Sequence, residues 1–147
     1  MRAMADVATK SITIHASAEH CYAVAADFAH YPDWAQDVKE TTVRATDDAG
    51  RATEVEFRAS ALGRSTHYTL AYDHTDAPGR LKWQLVKGDI MRAVDGEYTF
   101  TVTGPNTCEV VYDLSIELVV PIPGFVKRRA EVRILSTLEE LKARAEA

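Results

Sequence analysis

Apolar and polar residues alternate along most of the chain, from residue 38 to residue 120. This period of two is typical of strands that have one buried and one solvated face. Five turn signals rich in Gly, Pro and Asp interrupt the alternation, at 47–50, 63, 76–79, 88 and 104–106,. The pattern therefore predicts six consecutive strands joined by short turns, which is the arrangement of an antiparallel meander,.

Helical periodicity appears on either side of these strands. Ser17 stands before Glu19 as an N-cap stands before an acidic first turn, and Pro32 ends the helical stretch,. A weakly alternating strand at 7–14 comes before this helix. A longer helix is predicted from 125 to 145, with one apolar stripe formed by Val126, Ala130, Ile134, Leu138, Leu141 and Ala145,. The order of elements predicts an α+β fold in which a strongly curved antiparallel sheet wraps around a long C-terminal helix.

Four segments give this layout a family resemblance. They are the opening 11–19 (Ser-Ile-Thr-Ile-His-Ala-Ser-Ala-Glu), the corner 27–34, whose most characteristic piece is Tyr-Pro-Asp-Trp at 31–34, and the strands at 83–88 and 95–98. With them the chain resembles the helix-grip fold of the START and Bet v 1-like (SRPBCC) superfamily over residues 8–143. Within it, the resemblance is to the bacterial polyketide cyclase/dehydrase-like or coenzyme-Q-binding-like branch. The resemblance implies a cavity between the sheet and the last helix that takes hydrophobic or amphipathic ligands.

Composition and charge narrow the class of protein. The 147 residues are 46% hydrophobic, as in one ordinary domain, so we expect a single domain over 1–147 with residues 1–6 frayed,. A net charge of −5 disfavours nucleic acid as a partner,. The sequence has neither a signal-peptide core nor an apolar run of about eighteen residues, so we expect a cytoplasmic protein. Cys21 and Cys108 are expected to be inert core thiols without a nearby partner,.

No motif for phosphate binding, metal binding or nucleophilic catalysis is found in the sequence,. We therefore expect no metal and no cofactor, and assign no catalytic residue. The five histidines never fall at metal-ligand spacing on a predicted helix, which favours surface or capping roles for them: His15, His20, His30, His67 and His74,.

The dry face of the predicted sheet is rich in aromatic residues, and four of them are tyrosines. A buried phenol hydroxyl needs a partner or costs about 1–3 kcal/mol, so tyrosines there favour a partly wet cavity over a sealed core. The alternative places their hydroxyls in solvent at the ends of the sheet. The candidate cavity lining is Phe57, Tyr68, Tyr72, Trp83, Tyr98, Phe100 and Tyr112 on the sheet, with Ile134 and Leu138 on the helix.

A basic run opens the last helix, where the helix dipole favours acids. Lys127 and Arg128, followed by Arg129, are candidates for the mouth of the cavity. There they would hold an anionic head group or make transient contact with an acidic membrane surface. The alternative is a solvated charged face offset by Glu131.

Three functions stay open. The favoured one is binding or transport of a hydrophobic small molecule, such as a lipid, polyketide, isoprenoid or quinone-like compound, with no obligate protein partner. The second is a cofactor-free polyketide cyclase/dehydrase-like enzyme using Tyr68, Tyr72 and either Arg58 or His67, although alternation directs the last two away from the dry face. The third is a protein-interaction module, whose contact patch would be Tyr31, Pro32 and Trp34.

Overall fold

The computed structural model describes residues 7–147, so the frayed end expected at 1–6 lies outside the described residues. A seven-stranded antiparallel sheet has the order β1-β7-β6-β5-β4-β3-β2. Its strands are β1 (Ala8–Ile14), β2 (Val38–Thr46), β3 (Ala52–Ala61), β4 (Arg64–Asp73), β5 (Arg80–Gly88), β6 (Met91–Gly104) and β7 (Thr107–Leu118). The α+β helix-grip fold and the meander from β2 to β7 are confirmed.

The first helical region is shorter and more broken than one continuous helix. In α1 (Ala18–Ala25) the Ser17 side chain accepts a hydrogen bond from the backbone N–H of His20 at 3.1 Å, which is the predicted cap. A 3-10 turn (Phe28–His30) and α2 (Tyr31–Trp34) follow, with Pro32 in the first turn of α2. Tyr31 is buried, and its hydroxyl donates to the carbonyl of Ala25 at 2.5 Å.

This packing bears on the proposed interaction patch. The ring of half-buried Trp34 lies against that of buried Tyr31, with centroids 4.6 Å apart, and only Pro32 of the three is exposed. Two of its three residues thus serve to pack the corner against the molecule's own core.

The C-terminal helix differs from the single helix predicted over 125–145. It is divided into α3 (Gly124–Leu135) and α4 (Thr137–Glu146) at Ser136. The Ser136 hydroxyl donates to the carbonyl of Arg133 at 2.5 Å, and such local bonds compete with the helical ladder,. The buried stripe shifts as well, because Leu135, which the stripe omitted, is buried while Ile134 is half-buried.

The two cysteines form a pair, so the expectation that they lack a nearby partner is wrong. Both are fully buried free thiols, as predicted, but their Sγ atoms lie 3.4 Å apart. The reason is a long-range pairing: β7 pairs with β1, which places Cys108 opposite Ile14, and the chain then turns directly into α1. Burial, followed by the contact with Cys108, raises the pKa of Cys21 to about 12,.

His74 is a further correction, since it is buried rather than at the surface. Its Nε2 lies 2.6 Å from the carbonyl oxygen of Ala52, and its Nδ1 is hydrogen-bonded to the hydroxyl of Tyr22. A carbonyl can only accept, so Nε2 is the donor, and in the neutral ring Nδ1 accepts from the tyrosine. His20 does have a capping role, with Nε2 3.1 Å from the carbonyl of Ala145 near the end of α4. Within residues 7–147, no helix is long and apolar enough to cross a membrane.

Candidate functional site

The aromatic residues of the dry face meet across neighbouring strands. Phe57 lies opposite Tyr68, with rings stacked at a centroid distance of 5.2 Å. Tyr98 lies opposite Tyr112, with centroids 4.7 Å apart. Directly opposed residues point to the same face of a sheet, so the alternation in the sequence becomes one aromatic surface on the concave side.

Trp83 is the centre of this surface, and a glycine makes room for it. The indole lies over Gly96, its partner on β6, where a Cβ atom would be only 2.3 Å from the ring atom Cε2. Tyr98 and Tyr112 flank the indole at centroid distances of 5.0 and 5.6 Å. In the sequence, Gly96 stands out only as a member of the segment 95–98 that carries the family resemblance. The alternation of apolar and polar residues gives no sign of this close approach to Trp83.

Half of the aromatic surface is covered by the chain's own helical corner. Phe28 packs on Tyr72 at a centroid distance of 4.3 Å and on Phe57 at 6.3 Å. Tyr22, in the middle of α1, reaches the same aromatic layer, and its ring centroid lies 5.8 Å from that of Phe100. Of the predicted lining residues, Phe57, Tyr98, Phe100 and Leu138 lie in the packed core and Tyr72 is partly buried against it. None of these five residues borders the open space between the sheet and α3.

A cavity remains between the rest of the concave face and α3, with a volume of about 170 Å³. Of the predicted residues, the cavity wall contains Tyr68, Trp83, Tyr112 and Ile134, together with Lys127 of the predicted mouth. Arg128 does not line it and is exposed. The wall is completed by aliphatic residues that the sequence reasoning did not single out as lining, among them Leu70, Val94, Leu114, Ile116, Leu118 and Ala130.

An ion pair ties α3 to the sheet beside this cavity. Arg133 donates from Nε and Nη2 to the two carboxylate oxygens of Asp37, at 2.8 and 2.9 Å. These hydrogen bonds hold the pKa of Asp37 below its ordinary value,. Both residues border the cavity, so the pair fixes the spacing between α3 and the start of β2.

The tyrosines of the cavity present neutral phenols. Burial raises the pKa of Tyr68 and of Tyr112, so both stay protonated at physiological pH,. Within residues 7–147, neither hydroxyl has a hydrogen-bond partner, in contrast to the hydroxyls of Tyr22 and Tyr31. The two phenols are thus polar groups available to a molecule that enters the cavity.

Glu131 contributes a carboxyl group to the same cavity. Its side chain is only 12% exposed, so it does not belong to the solvated face that the sequence suggested. Lys127 Nζ lies 3.7 Å from its Oε2, one turn earlier on α3. That oxygen is buried and, among the described residues, accepts no hydrogen bond. The available signal was its position three residues before Ile134, a spacing that places two side chains on the same side of a helix, and Ile134 also lines the cavity,.

The residues considered for cyclase chemistry are not assembled. Arg58 is paired with Glu40, at 2.7 Å between Nη2 and Oε1, and His67 is exposed. Neither of them lines the cavity that holds Tyr68. No cluster of three metal-ligating side chains occurs within the described part of the chain.

The fold is shared with several solved structures. A START superfamily protein from Mycobacterium smegmatis superposes with a TM-score of 0.88 at 23% identity, covering 95% of this chain and 97% of that one. The Zhui aromatase/cyclase from a Streptomyces species gives 0.82 at 13% identity, covering 96% and 93%. Major latex-like protein 151 from Panax ginseng gives 0.73 at 10% identity, covering 99% and 100%.

These likenesses confirm the resemblance to the START and Bet v 1-like superfamily at the level of fold. No curated protein sequence matches the chain significantly. The model of one sequence family, described as polyketide cyclase / dehydrase and lipid transport, matches residues 5–146. Since this match spans nearly the whole chain, the protein belongs to the polyketide cyclase / dehydrase and lipid transport family.

Proposed function

We propose that the protein binds a hydrophobic small molecule in the cavity between the concave face of the sheet and α3. The observation that carries this proposal is the cavity itself, whose wall combines aliphatic side chains with the faces of Tyr68, Trp83 and Tyr112. A concave, mostly apolar pocket with a few polar groups is the usual form of a small-molecule site. The family description, which includes lipid transport, agrees with this class of ligand.

The size of the cavity limits what it can hold. Its volume of about 170 Å³ slightly exceeds the ~150 Å³ of an engineered protein cavity that binds benzene,. It lies below the range of roughly 300–1,000 Å³ for drug-sized ligands. We therefore infer that the ligand is a ring with small substituents, or one end of a longer molecule whose remainder leaves through the mouth.

This volume also weighs against the cyclase alternative. Aldol closure requires the cavity to hold a chain bent back on itself in a reactive geometry. A cavity of about 170 Å³ has room for a small ring system but not for a chain folded back on itself, and neither Arg58 nor His67 faces it. Binding without transformation is thus the function that the site supports best.

The experiment is a cavity-filling substitution with a matched control. Ala130→Leu adds an isopropyl group to the side of the cavity formed by α3, whereas Ala143→Leu adds the same group at an exposed position on α4. The affinity of each variant for 2-methylnaphthalene is measured by calorimetry, with the protein titrated into dilute ligand. We expect binding to the wild type and to Ala143→Leu, and loss of binding in Ala130→Leu. Absence of binding to the wild type, or equal binding to both variants, contradicts the proposal.

We further infer that the outer face of α3 contacts an anionic membrane surface. Phe125, Arg128, Arg129 and Val132 recur at helical spacing, and all four are exposed, Phe125 by 68% and Val132 by 61%,. A face that alternates apolar and basic side chains suits the boundary between lipid tails and acidic head groups. Because Lys127 on the same helix lines the cavity, a membrane bound there would lie next to the ligand's route of entry.

A further inference from the structure

Among the described residues, the fully buried side-chain oxygen without a hydrogen-bond partner is Oε2 of Glu131, in the wall of the cavity. It is buried, it faces a mostly apolar wall, and it accepts no hydrogen bond from residues 7–147. Buried acceptors are nearly always paired, and leaving one unpaired is unfavourable, more so when it can carry charge. A buried carboxylate oxygen that no side chain satisfies is therefore a place in the cavity wall where a hydrogen-bond donor of a ligand would be stabilised,.

Lys127 does not fill this role. Its Nζ lies 3.7 Å from Oε2, which is beyond the usual range of 2.7–3.2 Å for an N–H···O hydrogen bond,. Its side chain is also more exposed, at 30% against 12% for Glu131, so its ammonium is turned further toward water. The contact therefore balances charge without satisfying the acceptor.

The charges around Oε2 decide which ligand group suits it. A carbonyl or ether group has no proton to donate to a carboxylate. A ligand carboxylate would be repelled by Glu131, and a ligand ammonium would have to compete with Lys127 for the same carboxylate, next to its like charge,. A neutral hydroxyl can donate to Oε2 without disturbing the existing ion pair.

We propose that Glu131 is a specificity-determining residue that selects ligands with an apolar body and a neutral hydroxyl group, an alcohol or a phenol, which donates to its Oε2. This proposal rests on the proposed function, since it concerns the same cavity. It adds the chemical class of the ligand and the side chain that recognises it. It also implies that apolar molecules without a donor bind less tightly than their hydroxyl counterparts of the same shape.

The test compares two probes of nearly equal shape, 2-naphthol and 2-methylnaphthalene, in a set of variants. Glu131→Leu removes the acceptor, Glu131→Gln keeps one neutral acceptor oxygen, and Glu139→Leu is the control at an exposed site on α4. Calorimetry gives the ratio of the two dissociation constants for each protein. We expect Glu131→Leu to reduce the preference for 2-naphthol about tenfold relative to the wild type, with a smaller reduction in Glu131→Gln and none in Glu139→Leu.

The outcomes separate the two proposals. If the wild type binds both probes and the ratio is the same in Glu131→Leu and in Glu139→Leu, the role of Glu131 is wrong while hydrophobic binding stands. If the wild type binds neither probe, the proposed function itself is wrong. Circular dichroism melting of each variant identifies any that fails to fold, in which case Glu131→Gln, the milder change, supplies the ratio.

Discussion

Replacement of Gly96 by alanine tests the packing that supports the cavity wall. The new methyl group would lie 2.3, 2.4 and 2.5 Å from three atoms of the Trp83 indole. All three are far below van der Waals contact, so the ring or the strand must move. The indole cannot move freely, because Tyr72, Tyr98 and Tyr112 hold it at centroid distances of 5.7, 5.0 and 5.6 Å.

The expected magnitude follows from two opposing effects. Overpacking a well-packed core costs typically about 1–3 kcal/mol, and a rigid ring between aromatic neighbours belongs at the upper end. Replacing glycine by alanine also lowers the conformational entropy of the unfolded chain, which raises the free energy of unfolding by roughly 0.4–1 kcal/mol. We therefore expect a net loss of about 2 kcal/mol in the free energy of unfolding. For a chain of this length that lowers Tm by roughly 4–8 °C.

The assay is thermal and urea unfolding of Gly96→Ala, followed by circular dichroism. Gly124→Ala is the control, since a Cβ atom there meets nothing within 4 Å. The same substitution is then made in a Trp83→Leu background, where the clash is relieved and its cost should largely vanish. A Gly96→Ala protein as stable as the wild type, or one whose loss persists without the indole, would refute the reasoning.

Three further predictions follow from the charges and thiols of the structure. Both thiols are fully buried, and the pKa of Cys21 is raised to about 12. We therefore expect neither thiol to react with Ellman's reagent (DTNB) in the native protein at pH 8 and both to react in denaturant, and rapid native labelling would contradict this. Because the pKa of Asp37 is lowered in the folded protein, its ion pair with Arg133 stabilises the fold above the ordinary pKa of an aspartate, and this stabilisation is lost as the pH falls through the lowered pKa,. Arg133→Ala should therefore weaken the acid-induced loss of stability, measured by urea unfolding from pH 6 to 3. An unchanged pH profile would count against this role of the pair. Charge reversal at Arg128 and Arg129, on the exposed face of α3, should lower sedimentation with phosphatidylserine vesicles roughly tenfold, with no effect on neutral vesicles,. Equal binding by the variant and the wild type would remove the membrane proposal.

The sequence predicted those parts of the fold that depend on local spacing. Strand alternation is such a property, and it correctly predicted that the side chains of Tyr68 and Tyr112 point to the concave face of the sheet. The predicted Ser17 cap of α1 is likewise confirmed. The six strands of the meander follow from the same rule together with turn chemistry,. The order of elements was therefore within reach of the sequence.

The errors concern distances between elements that are remote in the chain. Periodicity assigns Tyr98 to the concave face but does not say that the helices pack tightly over that part of the sheet. Cys21 and Cys108 are 87 residues apart in the chain, and the contact between their thiols depends on the pairing of β7 with β1. The burial of Glu131 depends on how α3 is rotated over the cavity, and a charged side chain is expected on the solvated side because charged residues are rarely buried,.

The central claim is that a small hydrophobic molecule occupies the space beneath α3. The most direct measurement is the set of side-chain NMR shifts of the protein as 2-naphthol is added. The account predicts saturable shifts at Trp83, Tyr112 and Ile134, which line the cavity, and small ones at the packed ring of Phe100. Shifts confined to the outer face of the sheet, for example at exposed Gln84, or no saturable shift at all, would contradict it.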